Sequence, residues 1–243
     1  MANKTSISGS KESSTKNIRK KRTTSPETSL TSEIKNLYSF CTSLNEKPSS
    51  ILVEGSFLTL EYSSKLGISR MIISFEANNT AKKWISTAEC FKLTMEELKS
   101  IYDNKGSLTV RNNTMHFSAS DDTHFSVPTW NCIEGYNPII QIAESLEWNT
   151  FDIPPGMFKK SSDFARVNID TGEIFDIGTV KITDREKSNM CVIGTKLLPK
   201  KIAACTTYLS LYKLDKNFGV PHLYFEGKTF TGIIIYPKTL IDW

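Results

Sequence analysis

The chain is short of the residues on which most enzyme sites are built. Its 243 residues include 3 histidines, His116, His124 and His222, and no third ligand stands at metal-site spacing from any pair of them. There is no Gly-x-x-x-x-Gly-Lys-Ser/Thr loop and no Gly-x-Gly-x-x-Gly after a strand-like run, so phosphate cradling of the common kinds is unsupported. There is no Gly-x-Ser-x-Gly nucleophile elbow either. The 5 cysteines (Cys41, Cys90, Cys132, Cys191, Cys205) are odd in number and never form a Cys-x-x-Cys pair. That argues for a reduced, intracellular protein over a disulfide scaffold or a zinc ribbon, and it singles out no cysteine as a nucleophile. The N-terminus lacks the apolar stretch of a secretory signal. No apolar run approaches the ~18 residues of a membrane helix, so no membrane partner is expected.

What is present suits a folded body behind a basic tail. Hydrophobic residues make up 39% and aromatics 10%, enough for one large domain or two ordinary ones. Residues 1–31 hold 7 basic side chains (Lys4, Lys11, Lys16, Arg19, Lys20, Lys21, Arg22) and 2 acidic ones (Glu12, Glu27), leaving a body of net charge −1 from an overall +4. Residues 1–30 are nearly empty of large apolar groups and are expected to be disordered. The run Ile18-Arg19-Lys20-Lys21-Arg22, followed by Ser25-Pro26, reads equally as a nuclear-import signal, a phosphate-binding arm or a solubilising tail.

Order is expected from Thr31. Ile34, Leu37, Tyr38, Cys41 and Leu44 follow the helical period, with Ser32 as N-cap and Pro48 beyond the end. Strands follow over Ile51–Glu54, Phe57–Tyr62 and Ile68–Phe75. Thr94 and Glu97 have capping-box spacing ahead of the stripe Met95, Leu98, Ile101 and Tyr102, with Gly106 as a left-handed terminator. A three-strand meander is predicted from Leu108 to Val127, turning at Asn112-Asn113 and Asp121-Asp122. Gly135, Asn137 and Pro138 suggest a connector. A strand is predicted over Trp148–Ile153, then a helix through Met157, Phe158, Ser161, Phe164 and Ala165. Further strands fall at Glu173–Thr183 and Met190–Leu198. A last helix runs from Pro199 through Ile202, Cys205, Leu209 and Tyr212, and a hairpin over His222–Phe225 and Thr229–Tyr236 turns at Glu226-Gly227.

Each chemistry-bearing cluster has an ordinary explanation. His116 and His124 read as polar-face residues of an antiparallel pair, Asp121-Asp122 as turn residues, and Phe151, Phe158 and Phe164 as core. Thr239–Trp243 reads as a docking tail or as packing beside the last strand. The predicted helices share one feature: each carries lysine or arginine opposite its buried stripe. These are Lys35 and Lys47, then Lys99 and Lys105, then Lys159, Lys160 and Arg166, then Lys200, Lys201 and Lys213.

The segment Phe91–Trp130, FKLTMEELKSIYDNKGSLTVRNNTMHFSASDDTHFSVPTW, resembles the second half of a domain of the DNA sliding clamps, in their two-domain phage or viral type. Ile34–Phe75 resembles the first half of such a domain, and residues 149–243 match more weakly. The long basic tail and the compact second half depart from the family pattern. The resemblance implies an α+β fold of two clamp-like domains, 31–137 and 138–243, each with two helices packed on antiparallel sheets, behind the 1–30 tail. It implies a homotrimeric ring of six domains, without enzymatic activity or cofactor, that encircles duplex DNA irrespective of sequence. Polymerase and clamp loader would dock in an apolar pocket between the domains. The lysines and arginine named above would face DNA, in host cytoplasm or nucleus. The alternative is a viral structural or nucleoprotein subunit whose basic arm binds nucleic acid, and an unrecognised enzyme is a third option.

Overall fold

The first helix, α1 (Pro26–Thr42), begins well before the Ser32 cap that the periodicity suggests. Proline fits the first helical turn, where its missing N–H costs nothing, so the ordered body reaches back to residue 26. The computed structural model describes residues 26–64, 67–75, 89–133, 135–144, 149–152, 164–168, 174–177, 190–194, 200–213 and 222–236. The basic run at 18–22 and the Thr239–Trp243 tail lie outside them.

Three strands follow α1: β1 (Ser50–Glu54), β2 (Phe57–Ser64) and β3 (Gly67–Phe75), paired in order and antiparallel. Next come β4 (Glu89–Leu93), α2 (Met95–Asp103), and the meander β5 (Gly106–Arg111), β6 (Thr114–Ala119) and β7 (His124–Asn131). The Thr94 capping box forms as predicted: Glu97 N–H donates to Thr94 Oγ1 at 3.1 Å and Thr94 N–H donates to Glu97 Oε2 at 2.7 Å. Asn112 and Asn113 both take positive φ, 52° and 55°, the two-residue turn whose twist matches a hairpin. Gly106 does not terminate α2. Asn104 caps the helix in an extended conformation, and Gly106 opens β5, where a Cβ would lie 2.7 Å from the Ser118 carbonyl and against the Phe117 ring.

The second half departs further from expectation. A short helix, α3 (Pro138–Glu144), occupies the expected connector. Asn137 Oδ1 accepts from the N–H groups of Ile139 and Ile140, both at 3.1 Å, and Pro138 takes the first turn. Then come β8 (Asn149–Asp152), β9 (Phe164–Asn168), β10 (Ile174–Ile177), β11 (Met190–Gly194), α4 (Lys200–Cys205), β12 (Thr206–Lys213), β13 (His222–Gly227) and β14 (Phe230–Ile235). Phe164, Ala165 and Arg166 therefore belong to a strand, not to a third helix. Each pairs on both sides, Arg166 with Phe175 and with Val192. The last predicted helix is cut short at Cys205. Thr206-Thr207-Tyr208 are β-branched or aromatic and continue as β12, which pairs with both β13 and β8. The final hairpin turns two residues later than Glu226-Gly227, because Gly227 pairs with Phe230.

Among the described residues, eleven strands form one sheet in the order β5-β6-β7-β4-β1-β2-β3-β14-β13-β12-β8, and β10-β9-β11 form a second. The seam between the halves is β3 against β14, antiparallel, with Phe230 opposite Phe75 and Ile234 opposite Met71. The strand period assigns each residue to a face. One face buries Ile51, Leu60, Met71, Phe91, Phe117, Phe225 and Ile234 together with Ile34 and Leu37 of α1, Leu98 and Ile101 of α2, and Ile202 and Ala203 of α4. Three helices thus stand on one side of the sheet. On the other, α3 packs Ile139 against Ile72 and Ile233. Full burial of one such side chain stabilises by roughly 1.5–3 kcal/mol, so the helix-bearing face carries most of the core.

Candidate functional site

Two surfaces carry features beyond packing. The first is the exposed side of the helical layer. α1 and α2 pack on each other, with the Tyr38 and Tyr102 rings 4.4 Å apart. Lys99 is exposed on α2 and stands 3.9 Å from Asp103, one turn on. Lys105 is exposed in the α2–β5 link and Lys47 in the α1–β1 link, while Lys35 is half-buried on α1. Lys47 and Lys105 therefore belong to loops at the helix ends rather than to the helices. The lysine bias read from the sequence is not uniform either. α2 carries Glu96, Glu97 and Asp103 against Lys99 alone. The surface is thus mixed in charge, with its exposed lysines at the helix ends and links as well as on α2.

The rest of the predicted basic set is distributed differently. Lys200 and Lys201 lie on α4. Lys213 ends strand β12 and Arg166 is central in β9, so neither is on a helix. Lys159 and Lys160 lie outside the described residues. A second basic feature, on the opposite face of the sheet, has no counterpart in the sequence reading: Glu61 receives Arg70 Nε at 3.0 Å and Lys92 Nζ at 3.4 Å. That places the pair in cross-strand neutralisation on β2, β3 and β4 rather than in free positive charge.

The second surface is a cleft of about 370 Å³ beside the connector, on the face away from α1 and α2. Phe57, Trp130, Ile133 and Tyr136 supply its apolar lining. Trp130 is 40% and Ile133 73% exposed, an unusual presentation of large apolar groups. Glu54 lines it too, and burial pushes its carboxyl above the usual carboxylate range. Two thiols stand in the wall: Cys90 of β4 is buried and Cys132, just past β7, is partly exposed, with their Sγ atoms 2.7 Å apart. Sequence reasoning missed this cleft. Its one local signal is Asn137-Pro138, a helix start that sets the connector against the sheet.

The histidines and the aspartate pair behave as turn and strand residues. His116 Nδ1 meets Ser126 Oγ at 2.7 Å and His124 Nδ1 meets the Asp122 carbonyl at 2.8 Å. Asp121 accepts from the Thr123 N–H at 3.1 Å, and Asp122 takes φ 65°. Among the described residues, no group of three or more His, Cys, Asp or Glu side chains is arranged to hold a metal ion.

No protein-family model matches the chain, and no curated protein matches it. Solved structures that the chain matches include clamp subunits. The Helicobacter pylori beta clamp bound to a DNA ligase peptide is 12% identical, with a TM-score of 0.38, over 88% of this chain and 65% of that one. The Sulfolobus tokodaii PCNA2–PCNA3 complex is 9% identical, with a TM-score of 0.40, over 85% of this chain and 97% of that one. PCNA of A. fulgidus, bound to the C-terminal region of FEN-1, is 12% identical, with a TM-score of 0.35, over 85% and 94%. The chain thus spans just under two thirds of the beta clamp's length.

Proposed function

We propose that the chain is a sliding-clamp subunit: a non-enzymatic processivity factor of two domains, 26–137 and 138–243, that assembles as a homotrimeric ring around duplex DNA and tethers polymerase to its template. One observation carries the reading. α1, α2 and α4, drawn from both halves of the chain, stand on the same face of one antiparallel sheet that runs unbroken through the β3–β14 seam. A ring needs such a wall, with helices inward and strands outward. Among the described residues the sheet ends in β5 on one side and β8 on the other, two edges that suit strand addition between subunits. The lysines at the helix ends and links would supply local phosphate attraction, and sliding needs that attraction without tight or sequence-specific contact. The apolar cleft at the connector is the proposed docking place for polymerase and clamp loader.

Topology gives the test. A closed ring is retained on circular DNA and slides off the ends of the same DNA once it is cut, whereas a surface binder is indifferent to cutting. With loader or at high protein concentration, we expect circle-dependent retention and a trimeric mass by light scattering. Replacing Lys35, Lys47, Lys99 and Lys105 by Ala should flatten the salt dependence of binding by up to about 0.9 in log–log slope per lost phosphate contact. Equal retention on cut and closed DNA defeats the ring. Removing residues 1–25 tests the nucleoprotein alternative, because a clamp keeps its circle dependence without the arm.

A further inference from the structure

We propose that Cys90 and Cys132 form a reversible intramolecular disulfide, made by exchange with a low-molecular-weight disulfide of the glutathione type. The geometry stands on three observations. The two Sγ atoms already face each other at 2.7 Å. β4 and β7 are locked in register, with Cys90 opposite Trp130 and Glu89 opposite Asn131, and Cys132 is the next residue after β7, so the contact is anchored at the end of the sheet. Both thiols line the open cleft beside the connector, which gives a small disulfide a route to them.

Accessibility fixes the order of steps. Cys132 is partly exposed and Cys90 is buried. Burial, then the hydrogen bond and charge of Cys132 and the charge of Glu54, push the Cys90 thiol up to about 12, so Cys90 is a poor first nucleophile. The Cys132 thiolate attacks one sulfur of the incoming disulfide and expels one thiolate, leaving a mixed disulfide on Cys132. Cys90 then gives up its proton to that departed thiolate or to water and attacks Cys132 Sγ, expelling the second small thiol. Two protein thiols and one small disulfide become one protein disulfide and two small thiols, so atoms and electrons balance. Cys41 makes a useful internal comparison: it is a free thiol buried in the core away from the cleft, and its thiol is likewise pushed up to about 12 by burial. It is expected not to exchange.

The bond would tie the segment that follows β7, one wall of the cleft, to β4. That consequence for docking rests on the function proposed above; the bond itself does not. The experiment uses the full chain, reduced, freed of reductant and exposed to oxidised glutathione. Remaining thiols are then alkylated and the protein is mapped by mass spectrometry without reduction. The expected product is a Cys90–Cys132 cross-linked peptide with Cys41 alkylated, and reductant should reverse it. Cys90→Ser should stop the reaction with glutathione on Cys132, and Cys132→Ser should leave Cys90 unmodified while the protein stays folded. Full alkylation of both Cys90 and Cys132 in the oxidised wild type overturns the proposal. So does persistent glutathione on wild-type Cys132. Mapping the wild type needs no variant to fold and no DNA to bind, so its failure is separable from failure of the clamp reading.

Discussion

Gly232, in the strand that joins the two halves of the sheet, has no room for a single methyl group. It lies in β14, opposite Phe225 of β13, and its strand is the one that pairs with β3. A Cβ built there meets three atoms of the Phe225 ring, two of them at 2.6 and 2.7 Å, closer than real Cβ contacts allow. The ring has nowhere to go, because Phe225 is 0% exposed and packs against Phe230 with centroids 6.1 Å apart. The ring covers a glycine whose bare backbone would otherwise leave a gap, a pairing known to steady strands. Gly232→Ala should therefore overpack the core at about 1–3 kcal/mol. The reduced freedom of the unfolded chain returns about 0.4–1 kcal/mol, for a net loss of about 0–2.6 kcal/mol, centred near ~1 kcal/mol. Equilibrium unfolding in urea, followed by circular dichroism, should show a lower midpoint for the variant. Phe225→Leu loses packing by itself, yet with Gly232→Ala the two should be less harmful together than their sum, with a coupling above about 0.5 kcal/mol. Strict additivity with Phe225→Leu would refute this account of the Gly232–Phe225 packing.

Other expectations follow from local geometry. Thr94→Ala removes the acceptor of the Glu97 N–H and should cost about 1 kcal/mol in the same urea assay, with Thr94→Ser recovering most of it. The Asp121 carboxyl is held below the usual carboxylate range, first by the hydrogen bond from the Thr123 side chain and then by the Thr123 N–H. A folded-state value depressed in this way gives stabilisation that is full above the ordinary carboxylate range and lost as pH falls through the folded value. Thr123→Val should bring the Asp121 titration, followed by carboxyl-carbon NMR, back toward the ordinary value, and an unmoved titration would count against that hydrogen bond.

How much of this architecture the chain discloses depends on how far each determinant reaches along it. The Thr94 capping box, the Asn112-Asn113 turn and the alternation of Met115 and Phe117 with His116 and Ser118 are settled within a few residues, and they fold as read. Helix α3 is not legible in the same way: Asn137-Pro138 has the chemistry of a helix start, but it reads as a connector because its few apolar residues are too short a run for periodicity to register. The stretch after Cys205 shows the opposite case. Ile202, Cys205, Leu209 and Tyr212 match a helical stripe, while Leu209 and Leu211 alternating with Tyr208, Ser210 and Tyr212 match a strand equally well. Local pattern does not separate the two readings. β12 lies between β13 and β8, and those neighbours satisfy its backbone as a strand.

The same reasoning explains why the candidate sites were the least legible part. The seam joins Phe75 to Phe230, and nothing near either residue announces the other. Without that seam, the placement of α4 on the same face as α1 and α2 cannot be inferred, and neither can a common wall. The cleft needs β4 set beside β7 in one register, with Cys90 opposite Trp130. A shift of that register by one residue would turn Cys90 toward the helical core and away from Cys132. A cysteine count read as a plain reducing environment therefore conceals a specific pair, because the pairing is a property of the strand register and not of the spacing between the two residues.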